Sequence, residues 1–284
     1  MSFFLPGLEI FPAPAKVNLF LHVVGRRADG YHLLQTAFRF IDFSDQLAFD
    51  VRKDGAINIV SSVSDLSGTD NLCARAAKLF QERSGKALGV DIYLQKQIPM
   101  GGGLGGGSSD AATTLIVLNR LWDVNWNRTR LMMLGLELGA DVPVFIRGKN
   151  AFAEGVGEEL TPLTLLPAWY TVLTPPVHIS TAEVFARKEL TRNTIPIKIS
   201  AFSMSEGKND LESVAVRMQP VIGDWLQWLK QQSEASRVAM SGSGACVFAE
   251  FADEGSALKV FRKLPLDMCG FMAQGLAEHP LLHF

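Results

Sequence analysis

A glycine-rich run between residues 99 and 112 has the residue types best suited to chemistry in this chain. Six glycines surround one leucine from Gly101 to Gly107, and Ser108 and Ser109 follow. Without Cβ atoms, the backbone can adopt positive φ values and approach a ligand closely. Helix-forming residues come next, so the run leads into a helix N-terminus, where backbone N–H groups attract anions. The segment therefore predicts a phosphate-binding loop.

Other glycine-rich segments must be weighed against this interpretation. A flexible linker is also rich in Gly and Ser, but it does not usually lie between an alternating strand and an amphipathic helix. A Walker A loop needs lysine after its second glycine, whereas serine follows Gly107 here. The spacing of Gly101, Gly103 and Gly106 fits a dinucleotide-binding loop. Asp123 lies at the distance of a ribose-binding acid, although it follows a helix, so this alternative stays open but weak.

Two charged residues in apolar surroundings are candidates for phosphoryl transfer. Asp141 lies between a predicted apolar helix and the apolar run 142–146, and Lys16 begins an apolar strand. Phosphoryl transfer benefits from a base that aligns the attacking hydroxyl and from a cation that stabilises the transferred charge. The same contexts are equally typical of a turn acid and of a solvated lysine on an edge strand, so the residues alone leave both interpretations open.

Composition limits the class of protein. The 284 residues are 48% hydrophobic and 20% charged, which is typical of a globular chain of one large or two ordinary domains. A net charge of −2 argues against a general nucleic-acid or membrane surface. Apolar runs are shorter than the roughly 20 residues that span a bilayer. Cys73, Cys246 and Cys269 lack metal-ligand spacing, and their usage predicts a reduced, cytoplasmic compartment.

The elements that must position these residues follow from hydrophobic periodicity and turn residues. In the first half we predict strands at 16–24, 35–43 and 46–51, with a turn at 44–45 between the last two. A helix is predicted from 70–71 to 81, and a strand at 90–96 leads into the glycine loop. A helix over 128–138 is predicted to end before an irregular stretch at 140–145, and short strands follow at 151–154 and 158–160.

Prolines near residues 165–168 predict a boundary between two domains, 1–165 and 166–284. Beyond it, the pattern predicts strands at 170–173, 237–240 and 245–251, and helices at 181–190, 209–218 and 221–231. The segment 195–208 is predicted to be a mobile surface stretch. Residues 241–244, Ser-Gly-Ser-Gly, separate the last two strands and are also typical of a simple hairpin turn.

Several motifs in a fixed order resemble the galactokinase, homoserine kinase, mevalonate kinase and phosphomevalonate kinase (GHMP) superfamily. They are residues 14–19 (PAKVNL), the glycine loop through Ala112, residues 139–143 (GADVP) and residues 241–245 (SGSGA). Residues 27–32 (RADGYH) and 151–157 (AFAEGVG) are similar to the branch that phosphorylates a cytidine diphosphate alcohol in non-mevalonate isoprenoid synthesis. The resemblance runs from about residue 12 to residue 251.

That resemblance implies an α+β chain with the two-lobed GHMP-kinase fold and an active site in the cleft between the lobes. Residues 1–165 would form an ATP-binding lobe and residues 166–284 a substrate-binding lobe. Asp141 would be the general base toward the substrate hydroxyl. Lys16 would hold Asp141 ionised and stabilise transferred charge, because a neighbouring ammonium favours the carboxylate form.

The resemblance also implies the ligands and their sites. ATP and Mg²⁺ would be the cofactors, with Ser108 or Ser109 as possible metal contacts. The implied ATP-binding residues are Asn71, Lys96, Pro99, Met100, Gly101, Gly102, Gly103, Leu104, Gly105, Gly106, Gly107, Ser108 and Ser109.

A small molecule, cytidine diphosphate methylerythritol, would be the substrate, phosphorylated on its 2-hydroxyl. The implied substrate-binding residues are Asn18, Tyr31, His32, Thr181 and Phe185. Tyr31 and Phe185 would sandwich the cytosine, and His32 would supply the hydrogen bonds that distinguish it from other bases. Each also has a structural interpretation, because Tyr31 is typical of a surface aromatic and Phe185 of a helix residue in the core.

Two alternatives remain from different functional classes. Another kinase of the superfamily, of mevalonate or homoserine type, would share the loop and the charged pair. A nucleotide-binding relative without catalysis would keep the loop alone. Lys16 and Asp141 argue against the second alternative. The Tyr31–His32 pair and the Thr181–Phe185 pair argue against the first.

Overall fold

Two β-sheets with helices packed on them make up the computed structural model, which describes residues 3–68, 70–199 and 208–284. The first sheet contains β1 (Ile10–Arg26), β2 (His32–Arg52), β3 (Ile57–Ser61), β4 (Gly89–Gln95), β5 (Ala151–Glu154) and β6 (Glu159–Pro162). The second contains β7 (Trp169–Leu173), β8 (Arg237–Met240), β9 (Val247–Phe251) and β10 (Gly270–Gln274). The sheets lie in consecutive halves of the chain.

The long strand β2 is the centre of the first sheet. It pairs along one edge with β1, and along the other with β4 near its end and β5 near its start. The strand order is β3-β4-β2-β5-β6, and β3 is parallel to β4 whereas the other pairs are antiparallel. In the second sheet the order is β10-β7-β9-β8, and its pairs are antiparallel.

The turn predicted at residues 44–45 is wrong. The chain continues in one direction there, and β2 pairs with β1 on both sides of this point, with Pro14 opposite Ser44 and Ala15 opposite Ile41. The two residues of β2 between these partners form a bulge. A bulge and a tight turn both interrupt alternation and favour polar residues, so only pairing with a distant strand distinguishes them.

Four helices belong to the first half. They are α1 (Leu72–Ser84), α2 (Gly106–Leu121), α3 (Arg128–Leu136) and α4 (Val142–Arg147). The predicted start of α1 is confirmed, because the Asn71 side chain accepts a hydrogen bond from the Cys73 N–H at 2.8 Å. The irregular stretch predicted at 140–145 is wrong in its second part. Pro143 lies in the first turn of α4, where a missing N–H costs nothing.

The second half contributes α5 (Thr181–Ala186), α6 (Glu212–Met218), α7 (Pro220–Lys230) and α8 (Glu254–Phe261). Strands β3 and β10 and helix α8 were not predicted. The signal for α8 was present, because Asp253 caps it by accepting from the Ser256 N–H at 2.9 Å. Residues 200–207 of the stretch predicted to be mobile lie outside the described residues. Among the described residues, no helix has the length and apolar character needed to cross a membrane.

A shared hydrophobic core joins the two sheets. Val17 and Leu19 of β1 pack in one buried cluster with Tyr170 of β7 and Phe248 of β9. Residues of β1 alternate between faces, so Lys16 and Asn18 point away from this cluster. The core therefore fixes the position of two polar side chains near the junction of the sheets.

The C-terminal segment returns to the first sheet and buries His279. Its Nδ1 accepts a hydrogen bond from the Leu281 N–H at 3.0 Å, and its ring packs edge-on against Phe40. Burial, helped by the nearby Arg128 guanidinium, lowers the pKa of His279 to about 3. The folded protein therefore binds fewer protons here than the unfolded chain between pH 3 and the ordinary histidine value.

This shift predicts a loss of stability on acidification. Because the pKa of His279 is depressed on folding, the neutral side chain contributes fully to the free energy of unfolding above pH 6.5. This contribution is lost as the pH falls below that value. We expect His279→Gln to reduce the drop in unfolding free energy between pH 7.5 and 5.5 by about 1 kcal/mol. Urea unfolding at both pH values measures this, with the exposed His283→Gln as control. Equal drops in wild type and His279→Gln would contradict the prediction.

Candidate active site

A cavity of about 1300 Å³ lies at the junction of the two halves of the chain. Single small-molecule sites are usually about 300–1,000 Å³, so this cavity has room for two ligands. It brings together every predicted site residue except Ser109. The lining includes Lys16, Asn18, Tyr31, His32, Asn71, Lys96, the loop from Pro99 to Ser108, Asp141, Thr181 and Phe185.

The glycine loop lines this cavity and ends in α2. Gly101, Gly103 and Gly105 have φ values of +68°, +76° and +72°, which favour glycine. Gly105 is the N-cap of α2, so the helix begins at Gly106 and includes both serines of the run. The loop is part of the folded cavity wall, which contradicts the linker alternative. Its backbone N–H groups and the helix N-terminus form an anion-binding surface.

Three successive glycines of the loop are packed against the second half of the chain. A Cβ on Gly101 would lie 2.5 Å from His178 Nδ1, and one on Gly102 would lie 2.4 Å from Cys246 Sγ. A Cβ on Gly103 would lie 2.1 Å from a backbone carbonyl oxygen of the 241–244 segment. At Gly103 the neighbour is backbone, so a side chain is excluded and glycine is required for packing as well as for its positive φ. At Gly101 and Gly102 an added Cβ would have to displace the neighbouring side chain.

Ser241 of this segment and the nearby Cys246 also hold the loop by hydrogen bonds. The Ser241 hydroxyl donates to the Gly103 carbonyl at 2.9 Å, and the Cys246 N–H donates to the Gly102 carbonyl at 3.1 Å. Ser243 lines the cavity and shares a 2.7 Å hydrogen bond with the Thr181 hydroxyl. The segment is a support for the phosphate loop as well as the connection between two strands.

Lys16 and Asp141 form an ion pair at the loop. Lys16 Nζ lies 3.3 Å from Asp141 Oδ2, and it donates to Asn18 Oδ1 at 2.5 Å and to the Gly103 carbonyl at 3.1 Å. Lys16 is buried, whereas the Asp141 side chain is 34% exposed. Lys16 is therefore not a solvated edge residue. A buried ammonium with three oxygen partners is held in place, and the carboxylate beside it is open to the cavity.

Lys96, one of the implied ATP-binding residues, has carboxylate partners within the protein. Its ammonium pairs with the carboxylates of Asp45 and Asp110, the latter at 2.8 Å. Burial lowers the pKa of Lys96, but Asp110 and then Asp45 outweigh this effect and leave the pKa raised. Burial also raises the pKa of Asp110, although Lys96 opposes that shift. Lys96 lines the cavity as a member of this buried cluster.

The two serines after the loop differ. Ser108 lines the cavity, and its Oγ lies 4.0 Å from the position of a Cβ on Gly139, two residues before Asp141. Ser109, also a residue of α2, is fully buried, and its hydroxyl has no hydrogen-bond partner among the described residues. Successive helical residues point in directions about 100° apart, so only one of the two can face the cavity.

The other end of the cavity is aromatic. Tyr31 is 66% exposed at the rim. The rings of His32 and Phe185 are stacked with centroids 4.8 Å apart and an interplanar angle of 28°. Phe185 is half-buried against the core of the second half and also lines the cavity, so its two interpretations are compatible. Since His32 covers one face of Phe185, only the remaining surface of that ring is open to a ligand.

Sequence reasoning missed several residues of this region. Asp45 was placed in a turn, Arg192 lies in a stretch without periodicity, and Thr36 of β2 accepts a hydrogen bond from Asn18 Nδ2 at 2.8 Å. His178 lines the cavity against Gly101. The local sequence gave no signal for these four, because each joins the site through contacts distant in the chain.

Two family models match the chain. The model described as "GHMP kinases N terminal domain" matches residues 71–149, and the model described as "GHMP kinases C terminal" matches residues 186–268. Together they cover more than half of the chain. A crystal structure of mevalonate kinase, 14% identical, has a TM-score of 0.68 and covers 94% of this chain and 99% of its own. The chain therefore has the fold of the GHMP kinases, which are small-molecule kinases, and the predicted α+β class is confirmed.

Full-length relatives narrow the class further. The 4-diphosphocytidyl-2-C-methyl-D-erythritol kinase of Nitrosomonas eutropha is 68% identical over 98% of this chain and 100% of its own length. That of Nitrosomonas europaea is also 68% identical, with the same coverage. A crystal structure of 4-(cytidine 5'-diphospho)-2C-methyl-D-erythritol kinase has a TM-score of 0.82 at 34% identity and covers 94% of this chain and 99% of its own. The chain belongs to the 4-diphosphocytidyl-2-C-methyl-D-erythritol kinase family, whose members are ATP-dependent.

The geometry of Gly105 predicts the effect of adding a single methyl group. In Gly105→Ala, the Cβ would lie 3.0 Å from both Lys16 Cε and Phe145 Cζ, in a left-handed conformation that costs roughly 1–2 kcal/mol. We expect ATP affinity to fall by about tenfold or more. Isothermal titration calorimetry measures this.

Gly139→Ala is the matched control, because its Cβ would meet its nearest neighbour at 3.7 Å. It should bind ATP as the wild type does. Circular dichroism must show that both variants are folded. Wild-type ATP affinity in folded Gly105→Ala would mean that the phosphate is bound elsewhere.

Proposed function

We propose that this chain transfers the γ-phosphate of ATP to the 2-hydroxyl of 4-diphosphocytidyl-2-C-methyl-D-erythritol. The observation that carries the proposal is the position of the Lys16–Asp141 pair. It lies beside the phosphate loop, in a cavity whose other end is lined by Tyr31, His32 and Phe185. The names of the relatives supply the substrate, and the cavity offers an anion-binding wall and an aromatic end for it.

The glycine loop would bind the triphosphate. Its backbone N–H groups and the N-terminus of α2 provide donors for phosphate oxygens, and Asn71 and Lys96 line the cavity on the side of β4 and α1. Lys96 would contact ATP while its ammonium stays paired with the carboxylates of Asp45 and Asp110. We keep the proposal that residues 1–165 form the ATP-binding lobe and residues 166–284 the substrate-binding lobe, which the division into two sheets supports.

Asp141 would be the general base. In the proposed reaction, a substrate oxygen forms a bond to the γ-phosphorus while the bond from that phosphorus to ADP breaks, and the hydroxyl proton moves to Asp141 Oδ. Lys16 would stabilise the negative charge on the transferred group, because it is buried and held by Asn18 and Gly103. Its position within 5.3 Å of the Phe38 ring adds a cation–π contact.

Mg²⁺ fits the donor set beside the loop. The Ser108 hydroxyl faces the turn that carries Asp141, and Mg²⁺ usually takes one or two protein oxygens together with phosphate oxygens and water. The Ser108 hydroxyl would hold it together with phosphate oxygens and water, whereas buried Ser109 would not. When bound, the ion would neutralise charge on the phosphates. The cytoplasmic location that the cysteine usage predicts stays a prediction.

Removal of the proposed base should affect turnover more than binding. In Asp141→Asn we expect turnover to fall by a factor on the order of 10² or more, with ATP affinity nearly unchanged, because the amide cannot accept the hydroxyl proton. Steady-state kinetics and calorimetry measure the two effects. Exposed Asp224→Asn on α7 is the control for the loss of one carboxylate. Turnover near that of the wild type in Asp141→Asn would refute the assignment.

The aromatic end predicts a substrate-specific effect. Stacking on one aromatic ring contributes roughly 1–3 kcal/mol, so Tyr31→Ala and Phe185→Ala should each raise KM for the cytidyl substrate by about 5- to 150-fold. KM for ATP should barely change. Tyr93→Ala is the control, since Tyr93 of β4 points to the face opposite cavity-lining Leu94.

The substrate panel for this experiment includes mevalonate and homoserine. ADP release with one of those, and none with the cytidyl substrate, would support the other kinases of the superfamily and reject the proposed function. Equal increases of both KM values in the aromatic variants would show that these rings support the fold and do not bind the substrate base.

A further inference from the structure

Arg192 lies beside the aromatic end of the cavity, in the segment that follows α5. Its Nη2 donates to the backbone carbonyls of Phe185 at 2.9 Å and Arg187 at 2.6 Å, and its Nη1 donates to that of Leu190 at 3.1 Å. The guanidinium thus binds carbonyl groups at the C-terminal end of α5, which favours a cation. The backbone of α5 and this side chain therefore form one fixed unit.

The Nε–H group of Arg192 contacts a residue of the first half of the chain. Its Nε–H donates to His32 Nε2 at 3.0 Å. A guanidinium has donors and no acceptor, so the imidazole nitrogen that it contacts must carry a lone pair. His32 is consequently the neutral tautomer with its proton on Nδ1. That N–H has no acceptor among the described residues, although the His32 side chain lines the cavity.

The electrostatic surroundings of His32 agree with a neutral ring. Burial lowers the pKa of His32, and the charges of Arg192 and then Arg26 lower it further. The ring also stacks on Phe185, the residue whose carbonyl Arg192 binds. Arg192 therefore determines the proton position of one cavity residue and the backbone position of its stacking partner.

We propose that Arg192 is a positioning residue for the base of the substrate: it fixes His32 as a hydrogen-bond donor through Nδ1 and fixes the stacked Phe185 beside it. A donor at this place matches a carbonyl oxygen or an unprotonated ring nitrogen, the two acceptors on the pairing edge of a pyrimidine such as cytosine. Arg192 itself does not contact the substrate in this arrangement. The proposal rests on the proposed function for the identity of the ligand, whereas the tautomer of His32 is independent of it.

Nuclear magnetic resonance tests the tautomer directly. The ¹⁵N chemical shifts of an imidazole distinguish a protonated Nδ1 from a protonated Nε2, and His32→Gln assigns the His32 signals by their loss. In the wild type we expect the Nδ1–H tautomer, and in Arg192→Met a shift toward the Nε2–H tautomer. Observation of the Nε2–H tautomer in the wild type would overturn the proposal, whatever the substrate is.

Kinetics test the consequence for binding. In Arg192→Met, we expect KM for the cytidyl substrate to rise by about 3- to 10-fold, the factor for one misdirected hydrogen bond, with kcat and KM for ATP little changed. Arg192→Lys keeps the charge but cannot reproduce the planar set of donors, so it should behave like Arg192→Met. The matched control is Arg187→Met, which removes an exposed arginine side chain from the same segment.

The outcomes separate this proposal from the proposed function. A KM for the cytidyl substrate that is no higher in Arg192→Met than in Arg187→Met would overturn the positioning role. An inactive wild type with the cytidyl substrate would reject the proposed function, while the tautomer measurement would still test the contact between Arg192 and His32. If circular dichroism shows that Arg192→Met is unfolded, the positioning role is tested by KM for the cytidyl substrate in Arg192→Lys and by the His32 tautomer in the wild type.

Discussion

The burial of the Lys16 ammonium is the constraint on which the rest of the site depends. An ammonium removed from water must be surrounded by oxygen atoms, and here they come from Asn18, Asp141 and the Gly103 carbonyl. These partners belong to β1, to the turn before α4 and to the glycine loop. One charge therefore brings three distant parts of the chain to one point, and displacement of the loop or of the turn removes an oxygen partner from a buried charge.

The same requirement explains why both halves of the chain are needed. The carbonyl of Gly103 that accepts from Lys16 also accepts from Ser241, and Gly102 accepts from Cys246. The glycine loop is thus held from both sides, by β1 of the first sheet and by the connection between β8 and β9 of the second. A Cβ on Gly101, Gly102 or Gly103 would lie within 2.5 Å of an atom from the second half, so the loop is closely packed despite its glycine content.

The polar interactions form two separate groups around the cavity. Near the loop, Lys16 pairs with one carboxylate and Lys96 pairs with two, so both ammonium groups are held in fixed positions. At the other end, Arg192 acts on a neutral imidazole and on backbone carbonyls, which favours directional hydrogen bonds to an uncharged base. The cavity therefore combines an electrostatic end with a hydrogen-bonding and stacking end, as expected for a site that transfers phosphate to a nucleotide-linked alcohol.

The sequence by itself determined the glycine loop, the start of α1 near residues 70–71 and most strands and helices, because φ requirements, capping and periodicity are local properties. The ordered motifs also indicated the family and the pairing of Lys16 with Asp141. Only the tertiary structure decided that the interruption near Ser44 is a bulge, that Ser109 is buried while Ser108 faces the cavity, and that Lys96 is held by Asp45. It alone placed Arg192 on His32, since contacts between residues 160 positions apart depend on how the two halves pack and leave no periodic trace in the chain.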